Sequence, residues 1–305
     1  MAPGWSSAVL QLLNKMNNFI RPGSSKLSCK PFIVDGTQVG YISQHVSTFL
    51  SSYGNVFFTV KKDNGEILHM TLNPEIKTFA ERTEIIAEVM VDLRQKDVFG
   101  TLRGWRDEMY PVMASFDSKP CFMMERSAAC LLGVLQYGVH INGYFTDQSG
   151  QFFMWVARRS PTKQTWPSKL DQIVAGGIIC GEKIEETLIR ECAEEASITE
   201  ELAKTATPAG CVSYFFEDER GLFPEIQFVY DLVLPQTFHP INSDGEVDEF
   251  YCWPLDKVKN KLATDDFKPN CALVVLDFMI RHGFVSPDNE PHYVDFVCGL
   301  HSTLY

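Results

Sequence analysis

Short apolar-rich runs at Pro31–Val34, Asn55–Val60 and Ile67–Leu72 have the length and composition of strands. Between Thr78 and Gln95, Ile85, Ile86, Val89 and Leu93 recur at helical spacing, which predicts a helix with one face turned inward. Arg126–Gln136 is expected to form a second helix, so residues 1–128 read as a small α+β domain. From Val139 the texture changes. Val139–Phe145 and Gln151–Ala157 flank the turn-forming Asp147, Gln148, Ser149 and Gly150, the signature of a hairpin. Further strands are expected at Gln172–Ala175, Gly210–Phe216, Gln227–Leu234 and Phe250–Trp253, and helices at Ile184–Ala196, Asp256–Leu262 and Asn270–Arg281. Residues 129–305 therefore read as an α/β/α sandwich, and the chain as α+β.

Composition narrows the functional classes. The chain has 305 residues, 45% hydrophobic and 22% charged, a globular balance that excludes disordered and collagen-like chains. A net charge of -12 repels a polyphosphate backbone, so nucleic acid is not an expected partner. Even the apolar stretch Cys271–Ile280 is short and contains Asp277, so no membrane span is expected. The amphipathic start around Val9, Leu12 and Leu13 lacks the order of a targeting peptide and reads as a first helix. Nine scattered cysteines suit reduced thiols in the cytoplasm better than a disulfide framework.

The segment from Gly176 to Ile198 carries the chemistry. On a helix, Glu191, Glu194 and Glu195 fall at i, i+3 and i+4, projecting three carboxylates from one face within a turn. Like charges at these spacings repel, whereas a hard divalent ion takes oxygen ligands and also binds substrate phosphates. Leu188, Ile189, Cys192 and Ala196 form the opposite, apolar face, and burying it fixes where the acids point. Arg190 can pair with Glu194 or orient its neighbours. A Glu-rich helix face alone is ordinarily just solvated. Here the acids follow a strand, a glycine turn, Glu182 and Arg190 at fixed spacing.

That spacing, G-x5-E-x7-R-E-U-x-E-E-x-G-U, resembles the Nudix box of diphosphate hydrolases through Gly176, Glu182, Arg190, Glu191, Cys192, Glu194, Glu195 and Ile198. Ser197 departs from it, standing where the pattern has glycine, and so asks a residue with a Cβ to make the turn after the helix. The runs Tyr137–Tyr144 and Trp155–Ser160, with Lys163, Pro167, Leu170–Asp171 and Val174–Gly177, are similar to fungal and plant Nudix proteins described as related to thiamine pyrophosphokinase. Upstream, Pro31–Gly36, Gly104–Glu108 and Glu125–Arg126 match the same group. The resemblance implies a Nudix hydrolase that repairs metabolites by cleaving damaged thiamine diphosphates, such as oxothiamine or oxythiamine diphosphate, to monophosphates. It also implies Mg²⁺, with Mn²⁺ as an alternative, held by Glu191, Glu194 and Glu195, and catalysis by Glu191, Arg190, Glu182 and Glu195.

A Nudix site commonly takes one more carboxylate from a late loop, and here Glu246 comes before Glu249 as the candidate; an acidic turn is the competing reading for each. Arg158, Arg159 and Lys163 follow a strand end and can neutralise a diphosphate, although some of them can equally face solvent. Trp166 can stack on a ring or act as a packing lid, and Gly176 and Gly177 offer backbone near the substrate. His140, in an apolar strand, reads as a satisfied core residue. Three alternatives remain: hydrolysis of a nucleoside diphosphate derivative such as ADP-ribose or an oxidised nucleotide, isomerisation of isopentenyl diphosphate, and non-catalytic diphosphate binding. The isomerase needs a cysteine where Ile173, Val174 and Ala175 stand, and a pure binding protein ordinarily loses the box acids, which are all present here.

Overall fold

The computed structural model describes residues 3–305. Helix α1 spans Pro3–Met16, and a sheet unit follows with β1 Lys30–Val34, β2 Thr37–Ile42, α2 Gln44–Leu50, β3 Phe57–Lys61, β4 Ile67–Leu72 and α3 Phe79–Gln95. Its strands lie in the order β2-β1-β4-β3, with β1 and β4 parallel and the other pairs antiparallel. A capping box starts α3, the Thr78 hydroxyl accepting from Glu81 N–H while the Glu81 carboxylate accepts from Thr78 N–H. Ile86, Val89, Met90 and Leu93 of α3 share a core with Phe32, Met70 and Leu72 of the sheet. The hairpin β5 Met109–Val112 and β6 Phe122–Glu125 completes this part.

The helix expected over Arg126–Gln136 is not formed. Only α4, Ala129–Leu132, is α-helical, and Gly133 ends it in the left-handed region at φ +52. A Cβ on Gly133 would lie 2.6 Å from the Tyr41 carbonyl oxygen, so only glycine fits the turn. The chain is then free to enter a strand three residues later.

The second part comprises β7 Gln136–Thr146, β8 Phe152–Arg159, β9 Leu170–Gln172, β10 Val174–Gly177, α5 Ile184–Ala196, α6 Glu200–Ala203, β11 Thr207–Asp218, β12 Gly221–Val233, β13 Val247–Pro254, α7 Leu255–Leu262, α8 Pro269–Arg281 and α9 Tyr293–Leu300. Its main sheet runs β11-β12-β7-β8-β13, with β10 paired to β7 and β9 to β8. Alternation along β7 sends Val139 and Ile141 into a core with Leu188, Cys192 and Ala196 of α5. His140 and Asn142 point the other way, toward side chains that also meet Cys271 and Arg281 of α8. Helices thus cover both faces, the expected layering.

The domain limits differ from those read in the sequence. One compact unit contains Asn18–Gln136 and Phe215–Glu225; the other contains Tyr137–Tyr214, Ile226–Tyr305 and the chain up to Asn17. Helix α1 therefore belongs with the sandwich. The Trp5 indole N–H donates to the Lys259 carbonyl at 2.7 Å and the Asn17 amide to the Gly299 carbonyl at 2.8 Å, anchoring both ends of α1 to α7 and α9. Among the described residues no helix is long and apolar enough to cross a membrane.

Candidate active site on the glutamate-bearing helix

Helix α5 is held by its apolar stripe, Leu188, Cys192 and Ala196, all buried. Its N-terminus is favoured by Glu185 and Glu186 in the first turn, and the Glu186 carboxylate accepts from Lys183 N–H at 2.8 Å. With that stripe down, the box residues gather on the side toward β10. Arg190 is their hub. Its Nε and Nη2 donate to the two oxygens of Glu182 at 2.9 and 3.1 Å, and its Nη1 donates to Glu191 at 2.9 Å and to Glu194 at 3.0 Å. The Thr187 hydroxyl adds a bond to Glu182 at 2.7 Å. The Arg190 guanidinium holds Glu182 below the usual carboxylate range.

Glu191 lies across Gly176. A Cβ there would come within 2.0 Å of the Glu191 carboxyl carbon and of Oε1, so the glycine of the motif is what lets this carboxylate reach the strand backbone. Glu195 is buried and accepts from the Ala175 N–H at 2.8 Å. Burial pushes the Glu195 carboxyl well above its usual range, and the charges of Glu191 and Asp171 add to this. Burial also raises Glu191, partly offset by Arg190. Ser243 N–H donates to the Glu194 carbonyl at 3.3 Å, which brings the loop carrying Glu246 beside α5, and the Glu246 charge adds a smaller upward push on both carboxyls, whereas Glu249 of β13 lies opposite Arg158 and accepts from the Tyr251 hydroxyl at 2.6 Å.

The basic loop is arranged differently from the expectation. Arg158 and Arg159 do not reach out for a substrate. Arg158 Nη1 donates to Asp266 at 2.7 Å and to the Ser168 carbonyl at 2.8 Å. Arg159 is mostly buried; it donates to Asp171 at 2.8 Å and to the carbonyls of Thr165 and Trp166 at 3.0 and 3.1 Å. Guanidinium groups with such donor arrays bind carboxylates and carbonyls as readily as phosphates, and here Asp266 and the buried Asp171 occupy them. Lys163 pairs with Glu246, bringing that end of the loop to the glutamate face. Trp166 adopts φ +53, with the Lys15 ammonium 5.9 Å from its ring centroid. Gly177 pairs with Gly138 at the end of β10.

The sequence gives no sign of a second cluster. His140, Asp171 and Cys271 are buried, with ligand atoms all within 4.8 Å of one another, the one such trio among the described residues. Its one negative charge is already more than compensated. Asp171 takes Arg159 and, at 3.4 Å, Lys268, and it also accepts from the Cys271 thiol at 2.6 Å. Burial raises Asp171, but Lys268 and Arg159 outweigh it and hold the carboxyl far below its usual range. Burial keeps the His140 imidazole neutral and the Cys271 thiol protonated. A cation would have to displace two resident cations, so the trio does not fit a metal. The α5 face fits one better. Glu191, Glu194, Glu195 and Glu246 offer only oxygen donors and exceed the charge of Arg190 and Lys163, which suits a hard divalent ion.

Comparison with known proteins agrees with this architecture. Residues 8–136 match the family described as Domain of unknown function (DUF4743), and residues 136–272 match the NUDIX domain. The chain is 41% identical over 266 residues to Nudix hydrolase 24, chloroplastic, of Arabidopsis thaliana, covering 87% of this chain and 70% of that protein. It is 38% identical over 292 residues to Nudix hydrolase 20, chloroplastic, of the same plant, covering 93% and 76%. An uncharacterized protein of Saccharomyces cerevisiae is 35% identical over 283 residues, covering 88% and 82%. Identity at this level over most of the relatives' own length makes the chain a member of the Nudix hydrolase family.

Proposed function

We propose that the chain hydrolyses the phosphoanhydride of a small diphosphate-bearing metabolite at the glutamate face of α5. The observation that carries this reading is a pair of α5 carboxylates at β10, Glu191 against Gly176 and the buried Glu195 on the Ala175 N–H, with Arg190 bonded to Glu182, Glu191 and Glu194 beside them. Water attacks phosphorus, the bridging P–O bond breaks, and Glu191 takes a proton from the attacking water. Glu191, Glu194, Glu195 and Glu246 would hold a divalent ion, which would supply charge neutralisation for the phosphoryl group. Arg190 fixes the rotamers of Glu191 and Glu194, and Glu182 fixes Arg190. Lys163 is the basic side chain at the face and meets the distal phosphate when it exchanges Glu246 for substrate.

The substrate we infer is a damaged thiamine diphosphate, converted to its monophosphate. The support is the upstream half: Pro31–Gly36, Gly104–Glu108 and Glu125–Arg126, within the matched region 8–136, resemble the thiamine-pyrophosphokinase-related group. Damaged and intact forms differ at one or two polar positions, and an unpaired buried polar contact costs about 1–3 kcal/mol. The expected preference for oxothiamine or oxythiamine diphosphate over thiamine diphosphate is at least about tenfold in kcat/KM. A panel of diphosphates assayed with Mg²⁺ tests both levels. Faster cleavage of ADP-ribose or an oxidised nucleotide removes the thiamine reading, and no cleavage of any diphosphate removes the hydrolase reading.

A further inference from the structure

The segment that carries Glu246 is a self-bonded turn. The Asn242 side-chain carbonyl accepts from Gly245 N–H at 2.9 Å, its amide donates to the Val247 carbonyl, and Asp244 accepts from Glu246 N–H at 2.8 Å. A turn closed on itself in this way moves as one piece, so its placement depends on the bonds that join it to its neighbours. Four join it to the end of α5. Two are backbone bonds, Ile241 N–H to the Ala196 carbonyl at 3.2 Å and Ser243 N–H to the Glu194 carbonyl at 3.3 Å. Two are made by one side chain: the Ser197 hydroxyl donates to the Ile241 carbonyl at 2.9 Å and meets the Ser243 hydroxyl at 2.8 Å. Because the Ser197 proton goes to a carbonyl, Ser243 donates in the second bond.

Ser197 occupies the position where the family motif has glycine, and its backbone is left-handed, φ +51 and ψ +36. Glycine adopts that conformation without a steric penalty, whereas serine does not. A side chain held in a disfavoured backbone conformation while making both hydroxyl bonds to one turn has a purpose beyond ending the helix.

We propose that Ser197 is a positioning residue: it ties the Ile241–Val247 turn to the last turn of α5 and thereby holds the Glu246 carboxylate at the glutamate face, setting its affinity for a divalent cation. This rests on the reading of that face as the hydrolytic site. The other side of the turn is fixed by Ser160 N–H, which donates to the Glu246 carbonyl at 2.8 Å, and by Lys163 on the Glu246 carboxylate. Ser197 and the two backbone bonds beside it close the remaining side.

The test uses the full chain with Ser197→Gly, Ser197→Ala and Ser197→Asn. Glycine relieves the backbone and removes the tether, so the melting temperature of Ser197→Gly stays level or rises while its Mn²⁺ dissociation constant, titrated with the metal alone, rises about tenfold. Exchange of the Ser243 amide quickens in the glycine and alanine variants. Asparagine tolerates the left-handed region and carries a donor, so Ser197→Asn restores Mn²⁺ affinity to within about threefold of wild type. Unchanged Mn²⁺ affinity and unchanged Ser243 exchange in Ser197→Gly overturn the proposal, whatever the activity. If Mn²⁺ binding weakens as described but the wild-type chain cleaves no diphosphate, the tether stands and the hydrolase reading falls.

Discussion

Two groups of ionisable side chains face opposite sides of the same sheet. Gly176, paired with Val139, opens toward Glu191 and α5, while the neighbouring pair Ala175 and His140 faces the layer that holds Cys271. By ligand spacing alone the trio His140, Asp171 and Cys271 looks more like a metal centre, because its atoms lie within 4.8 Å of one another and the box glutamates are spread around Arg190. Charge reverses the ranking. Asp171 has Arg159 and Lys268, whereas Glu182, Glu191 and Glu194 share one arginine, and Glu195 has a backbone N–H. Proximity of donors marks a place where polar groups were buried together. An excess of oxygen donors over resident cations is the arrangement that a hard divalent ion fits without displacing a partner.

The sharpest way to break this contrast is Glu195→Gln. Turnover is expected to fall by about a thousandfold, equivalent to about 4 kcal/mol of barrier, with the fold retained by circular dichroism. Near wild-type rates in Mg²⁺ remove Glu195 from the site. On the other face, Asp171→Asn leaves the largely enclosed Arg159 and Lys268 without their buried counter-charge, and urea unfolding is expected to show a loss of about 3 kcal/mol. Stoichiometric zinc in the purified protein, lost in Cys271→Ser, refutes the charge-balance argument.

Acid titration tests the balanced cluster from the proton side. Burial, with Lys268 adding, lowers the His140 imidazole to about 4. Above about pH 6.5 both folded and unfolded states are neutral at this residue and its contribution is complete. As the pH falls from about 6.5 to about 4, the unfolded chain takes the proton first, so stability drops by up to about 3 kcal/mol. His140→Gln is expected to flatten that slope in denaturant midpoints measured across the window, and an unchanged slope assigns the acid sensitivity elsewhere. The smallest effect is expected for Gly176→Ala. Its Cβ meets the mobile end of Glu191 rather than backbone, so the carboxylate shifts and kcat falls about tenfold while the melting temperature barely changes. A large loss of stability instead means that the strand, not Glu191, yields.

The amino-acid sequence by itself determined most of the elements and the order of the box residues along the chain. Helix α5 over Ile184–Ala196 coincides with its predicted span, as does β4 over Ile67–Leu72, because amphipathic periodicity and turn residues act within a few positions of the chain. It also fixed which glutamates share a face, and placed His140 inside. Where a local signal was weak or was overruled, the reading missed: Gln38, Val39, Gly40 and Tyr41 gave little warning of β2, and Gly133 cut short the helix expected over Arg126–Gln136. Only the tertiary structure decided the partners. Arg159 and Asp171 meet because β8 pairs with β9, and Cys271 and Lys268 arrive from a helix about a hundred residues further along. Likewise α1 joined the unit formed by the far end of the chain. Spacing along a helix is set by bonds between near neighbours, but the choice of counter-ion for a buried charge depends on which layers stack, and no local pattern records that.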